Sequence, residues 1–209
     1  MDKIKKILLE NKAWAESKRD LDQEYFEKMA VDQKPEYLWI GCSDSRVPPS
    51  EITNTDPGQM FVHRNIANLV VHTDMNLLSV LQYAVENLEI PHVIVCGHYN
   101  CGGVKAALSN KSLGMMNNWV RNIKDIYFEN KVDIDSIQDE AARVNKLVEL
   151  NVVEQVHHLA HTSIIQRSWN VRKKPYLHGW VYDINTGLLK KLITMEPGAE
   201  IDSAYRFDY

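Results

Sequence analysis

Residues 60–97, MFVHRNIANLVVHTDMNLLSVLQYAVENLEIPHVIVCG, decide the fold. The stretch opens on a β-prone run, Met60 to Arg64, and closes on another, Val93 to Gly97. Between them Leu77, Leu78, Leu81, Ala84, Val85 and Leu88 recur at helical spacing, which predicts a crossover helix over Asn76 to Leu88. Thr73 or Asp74 stands where a side chain caps such a helix. Strand, helix and strand in this order imply two parallel strands of one sheet. Upstream, Tyr37 to Gly41 is a further short apolar run, and runs of this kind read as strands buried on both faces. Downstream, Val152, Val153, Val156, Leu159, Ile164 and Trp169 predict a long helix after Asn151. It is followed by β-prone runs at Tyr176 to Ile184 and Leu188 to Thr194, joined by a hairpin turn at Asn185 to Gly187.

The flanks complete the picture. Lys3 to Ala15 and Asp20 to Ala30 read as amphipathic helices outside the sheet, and Lys111 to Glu149 as a helical excursion whose boundaries are blurred by Gly114 and the acidic stretch after Val132. No repeat, low-complexity tract or Gly/Ser-rich linker divides the chain. The expectation is an α/β fold: a central, mostly parallel β-sheet flanked by helices, with an N-terminal helical arm and an added C-terminal edge strand. One domain spans 1–209, residues 1–35 being the arm and 36–209 the α/β core. Ligands of open parallel sheets sit beyond the carboxyl ends of the strands, so chemistry is expected just after Gly41, Arg64 and Gly97.

Bulk properties exclude several classes. A chain of 209 residues, 44% hydrophobic and 25% charged, has material for one sizeable core. A formal charge of -4 argues against a nucleic-acid partner, which calls for a basic surplus. No run approaches the roughly 18 apolar residues of a membrane span, and Met1 to Glu10 lacks a signal-peptide pattern, so a cytoplasmic location is expected. Three cysteines suit free thiols better than a disulfide framework.

Two strands end in loops rich in chemistry: Gly41-Cys42-Ser43-Asp44-Ser45-Arg46, and Gly97-His98-Tyr99-Asn100-Cys101-Gly102-Gly103. Parallel strands carry their C-terminal ends together, so these loops bring two thiols, an imidazole and a carboxylate into one small volume. Zinc is the natural occupant: thiolate and imidazole have the right softness, and Cys₂His is a catalytic ligand set that leaves a fourth position for water. A structural zinc usually shows four ligands in paired knuckles, whereas Cys42 stands alone with Asp44. Taken singly, a cysteine or histidine is more often a plain buried residue, and Cys96, inside an apolar strand, reads that way.

The same residues closely resemble the two signature motifs of the β-class carbonic anhydrases. The resemblance continues through Phe61-Val62-His63-Arg64-Asn65, Asn68, Gln82-Tyr83-Ala84-Val85 and His178-Gly179-Trp180-Val181-Tyr182-Asp183, and so covers most of the chain. It implies one zinc per subunit, held by Cys42, His98 and Cys101, with water or Asp44 at the fourth corner and reversible conversion of carbon dioxide and water to bicarbonate. Arg46 resembles the family arginine that pairs with Asp44, keeping it off the metal in an open state and releasing it in a closed one. Gln33, Phe61, Tyr83 and Val85 match substrate-pocket positions supplied from two subunits, together with Gly102. Trp39, Arg64 and Tyr182 match a second bicarbonate site found in a bacterial subset, through which bicarbonate would favour the closed state. A homodimer at least, and more fully a homotetramer, is implied. Pro49-Ser50 and the chain's stop at Tyr209 depart from the usual pattern. A zinc hydrolase acting on a carbon dioxide analogue such as carbon disulfide, and a non-catalytic bicarbonate sensor, are the competing readings. The Asp44 and Arg46 pair argues against the sensor.

Overall fold

Side chains of Asp2, Asp74, Asp139 and Thr162 cap the starts of helices. The computed structural model describes residues 2–209, and the chain divides into two units, Met1–Lys34 and Pro35–Tyr209. In the first unit, α1 (Lys3–Leu21) and α2 (Tyr25–Val31) form a helical pair. Asp2 caps α1 by accepting from Ile4 N, and Trp14 meets Phe26 edge-on with ring centroids 5.7 Å apart.

The second unit runs β1 (Tyr37–Cys42), α3 (Pro49–Thr53), β2 (Met60–Asn65), α4 (Met75–Gln82), β3 (His92–His98), α5 (Gly102–Ala107), α6 (Met116–Glu129), α7 (Lys131–Asp135), α8 (Glu140–Ala160), α9 (Ser163–Arg172), β4 (Tyr176–Asp183) and β5 (Leu188–Met195). The strands lie in the order β2-β1-β3-β4-β5. The first four are parallel, and β5 pairs antiparallel with β4 through the Asn185 to Gly187 turn. This is the mostly parallel sheet with a C-terminal edge strand that the hydrophobic pattern predicts. One edge departs from expectation: β2 ends the sheet and exposes Val62, so it is not buried on both faces.

Leu38, Ile40, Val93, Val95, Leu177 and Val181 line one face of the sheet, with Leu77 and Leu81 of α4, Val104 of α5 and Leu147, Val152, Val156 and Leu159 of α8 in the same core. Each fully buried aliphatic side chain of this kind contributes about 1.5–3 kcal/mol. The approach of α8 depends on Gly97, where a Cβ would stand 2.6 Å from Val152 Cγ2. The opposite face carries a smaller cluster of Trp39, Ile94 and Cys96.

Helix boundaries differ from the periodicity in three places, each with a local cause. The crossover helix is capped by Asp74, whose carboxylate accepts from Asn76 and Leu77 N, but its regular α-turns stop at Gln82 and Tyr83–Asn87 continues as a π-turn. The long helix expected after Asn151 begins earlier, because Asp139 in the acidic stretch caps α8 through Ala142 N. It also breaks after Ala160, where Thr162 accepts from Ile165 N and starts α9.

A buried polar ladder ties α8 to the segment after β2. Asn151 Nδ2 donates to Ala67 O (3.1 Å), Gln155 Nε2 to Asn151 Oδ1 (3.0 Å), and Val70 N to Gln155 Oε1 (2.7 Å). These bonds hold a segment in which Ala67 and Asn68 both adopt left-handed backbone angles, φ 64° and 51°.

Candidate metal centre

Cys42 is the last residue of β1 and His98 the last of β3, two neighbouring parallel strands paired with Gly41 opposite Cys96. Cys101 follows two residues after Tyr99 at the N-cap of α5. The three side chains are buried and their ligand atoms all lie within 4.8 Å of one another. The two sulfurs are 3.9 Å apart. Two thiolates at about 2.3 Å from a tetrahedral zinc stand about 3.8 Å apart, so the spacing suits that ion.

His98 supplies a second test of fit. Its Nδ1 lies 2.9 Å from Tyr99 O, which makes Nδ1–H the donor and leaves Nε2 as the lone-pair nitrogen. Nε2 is buried and, among the described residues, has no hydrogen-bond partner. A buried orphan of this kind calls for a ligand. Among the described residues this is the one His, Cys, Asp and Glu group with metal-ligand spacing.

The protonation of the two thiols is coupled. A hydrogen bond from the Cys101 thiol holds the Cys42 thiol well down, against its burial, with the Asp44 and Ala67 amides assisting. Cys101, facing that thiolate and buried, is pushed up. Two buried sulfurs 3.9 Å apart would share a proton that a cation could replace.

Asp44 stands at the rim. Its Oδ2 is 3.7 Å from His98 Nε2, yet it is engaged by Arg46, whose Nε donates to Oδ1 (2.9 Å) and Nη2 to Oδ2 (2.7 Å), with Arg46 N also on Oδ1 (3.0 Å). This fork holds the carboxyl well below the usual carboxylate range, so Asp44 is ionised. Arg64 reaches the same loop from β2, donating from Nε to Cys42 O (2.8 Å) and from Nη2 to Asp44 O.

Residues 37–189 match the family model described as carbonic anhydrase. This chain belongs to the β-class carbonic anhydrases. It is 49% identical over 202 residues to a carbonic anhydrase from Emericella nidulans, covering 96% of this chain and 89% of that one. A crystal structure from Sordaria macrospora, described as a tetrameric β-carbonic anhydrase, superposes with a TM-score of 0.90 at 38% identity, covering 93% of this chain and 100% of that one. A Coccomyxa β-carbonic anhydrase in complex with acetazolamide gives 0.88 at 38% identity, covering 94% and 89%.

The remaining site residues expected of a β-class carbonic anhydrase fall into three groups. Phe61 and Tyr83 face one another with ring centroids 5.9 Å apart, while Val85 is buried within the core. Gly102 is open, with no atom within 4 Å of where a Cβ would stand, and Gln33 belongs to the N-terminal helical unit. Trp39, Arg64 and Tyr182 lie on one face of the sheet, since Arg64 is level with Gly41 two residues beyond Trp39, and Tyr182 is level with His98. Gly41 makes room there: a Cβ would stand 2.3 Å from Trp39 Nε1. Two features carry no motif signal: the left-handed Ala67, whose amide assists Cys42, and the Asn151–Gln155 ladder that holds it. The i, i+4 spacing of two amides inside an apolar helix face was the available cue.

Proposed function

We propose that this chain hydrates carbon dioxide reversibly to bicarbonate and a proton at a zinc held by Cys42, His98 and Cys101, one ion per subunit. The observation that carries this reading is the buried Cys₂His set with an orphaned His98 Nε2, beside a carboxylate that an arginine holds off. Zinc in such a set supplies a Lewis acid that brings the pKa of water toward neutrality. Asp44, ionised and fixed by Arg46, would accept a hydrogen bond from a water bound beside His98 and so orient it toward the substrate. The Phe61 and Tyr83 pair offers an apolar wall suited to a small nonpolar molecule, the family resemblance assigns Val85 and Gly102 to the substrate pocket, and Gln33, in a pocket completed by two subunits, would donate its amide to bicarbonate. Released by Arg46, Asp44, whose Oδ2 is 3.7 Å from His98 Nε2, would itself be within reach as a fourth ligand and would exclude water.

Bicarbonate regulates this exchange through Trp39, Arg64 and Tyr182. The bonds from Arg64 to the carbonyls of Cys42 and Asp44 support such a link. The working unit is a homo-oligomer, a dimer or tetramer; the large exposed apolar side chains of α1, including Ile4, Ile7 and Leu8, and the tetrameric relative support this. Among the described residues no helix is long and apolar enough to cross a membrane. The three free cysteines suit a reducing compartment such as the cytoplasm.

The decisive experiment is stopped-flow carbon dioxide hydration across pH with zinc quantified per subunit. Activity proportional to zinc, with both lost in Cys42→Ser, is expected; full hydration by metal-free protein refutes the reading. For regulation, Tyr182→Phe and Trp39→Phe are cleaner than Arg64→Ala, which also strips bonds from the metal loop. Bicarbonate inhibition that is identical in both variants and the parent removes the regulatory part.

A further inference from the structure

The loop between His98 and Cys101 has to place a nitrogen and a sulfur from four consecutive residues on one ion, and it contains Asn100 in a left-handed conformation, φ 59°. Such a loop needs external anchors to keep one shape. Tyr99 is held at both ends. Its backbone N donates to Tyr182 O of β4 (3.0 Å), and its hydroxyl donates to Glu149 Oε1 of α8 (2.5 Å). Glu149 is itself held from β5, where Lys190 Nζ donates to the same oxygen at 2.8 Å. One turn earlier on α8, Asn145 Oδ1 accepts from Asn100 N at 3.5 Å. Burial disfavours the Glu149 carboxylate, but Lys190 and Tyr99 together outweigh it and keep the group below its ordinary range.

The consequence reaches the metal through one atom. Tyr99 O is the acceptor that fixes the Nδ1–H form of His98 and turns Nε2 toward the two sulfurs. A tyrosine ring clamped by Glu149 holds that carbonyl in place; a released ring lets the peptide tilt and weakens the bond that selects the tautomer. Residues that orient a histidine ligand through its second nitrogen govern metal affinity as well as activity.

We propose that Glu149 is a positioning residue of the metal centre, acting through the Tyr99 hydroxyl to lock the orientation and tautomer of His98. It touches neither the metal corner nor the substrate wall, and this role rests on the zinc reading above.

The test uses the full chain loaded with zinc, competed against a chromophoric chelator, and the cobalt-substituted protein for its visible spectrum. Glu149→Ala and Tyr99→Phe are each expected to weaken zinc binding about tenfold, at the lower end of the range for outer partners of a ligand histidine, and to shift the cobalt bands. Glu149→Gln, which retains an acceptor oxygen for Tyr99, is expected to restore most of the affinity and the parent spectrum. The double variant Glu149→Ala/Tyr99→Phe is expected to lose no more than either single one, since both break the same bond. Zinc affinity within twofold of the parent in both single variants overturns the proposal, as does full additivity in the double variant or an unshifted cobalt spectrum. Failure of the parent itself to bind zinc stoichiometrically is a different result and overturns the zinc reading instead.

Discussion

Replacing Gln155 by Met tests whether the buried polar ladder, more than the apolar core around it, holds the segment beside Cys42. Methionine keeps the length and much of the volume of glutamine, so cavity formation is minor. What is lost is specific: Val70 N–H loses its 2.7 Å acceptor, and Asn151 Oδ1 loses its 3.0 Å donor. Gln155 and Asn151 are both 1% exposed, so water does not replace either partner without structural change. A buried group stripped of its partner costs about 1–3 kcal/mol, which places the two orphans together at about 2–5 kcal/mol after some return from the buried thioether. For a chain of this size each kcal/mol corresponds to about 2–4 °C in Tm. Urea denaturation at neutral pH, with m compared between parent and variant, measures the loss directly. A further loss is expected at the metal centre, because Ala67 and its amide sit at the end of the same ladder. Gln155→Met within about 0.5 kcal/mol of the parent, the range of an ordinary surface substitution, refutes the reasoning.

Three other outcomes follow from the same geometry. Arg46→Ala leaves Asp44 with only the backbone bond from residue 46 and frees it toward His98; kcat/KM for hydration is expected to fall about tenfold with zinc content unchanged, as measured by stopped flow alongside metal analysis. Gly41→Ala puts a methyl group 2.3 Å from Trp39 Nε1, so the indole has to shift; a destabilisation of about 1–3 kcal/mol by chemical denaturation is expected, and, on the regulatory proposal above, a weaker response to bicarbonate. Burial, with His92 and Lys191 adding to it, pushes His178 down to about 4, and its ring is bonded to His92 Nδ1 and Thr194 Oγ1. Between pH 6.5 and about 4 the unfolded chain then binds the extra proton, so stability falls as pH drops through that window, by about 1–2 kcal/mol for a partly buried ring, and His178→Asn should flatten that slope in denaturation curves taken at pH 5 and 7.

Much of this molecule can be read along the chain because the signals are local. The runs at 37–41, 60–64 and 93–97 and the leucine spacing of 77–88 report parallel strands and their crossover directly, and the ends of those strands then locate Cys42 and His98. The edge position of β2 was not legible, since a short apolar run has the same appearance in the middle of a sheet and at its border; neighbours decide that, and neighbours are a tertiary fact. The break between α8 and α9 is encoded by Thr162, whose hydroxyl competes with the helix, but it lies inside an apolar period that continues across it. The Glu149 to Tyr99 bond joins residues fifty positions apart and has no sequence signature at all.

Because Cys42 and His98 terminate adjacent hydrogen-bonded strands, the separation of two of the three ligands is inherited from the interstrand spacing and owes nothing to the ion. Small zinc modules fold only when metal arrives, their ligands being scattered on a chain with no core of its own. Here a sheet buried against α4, α5 and α8 builds the cradle in advance. On the zinc reading proposed above, metal acquisition is then separate from folding: a chelator is expected to leave an inactive but native scaffold, and added zinc to restore activity without a refolding step.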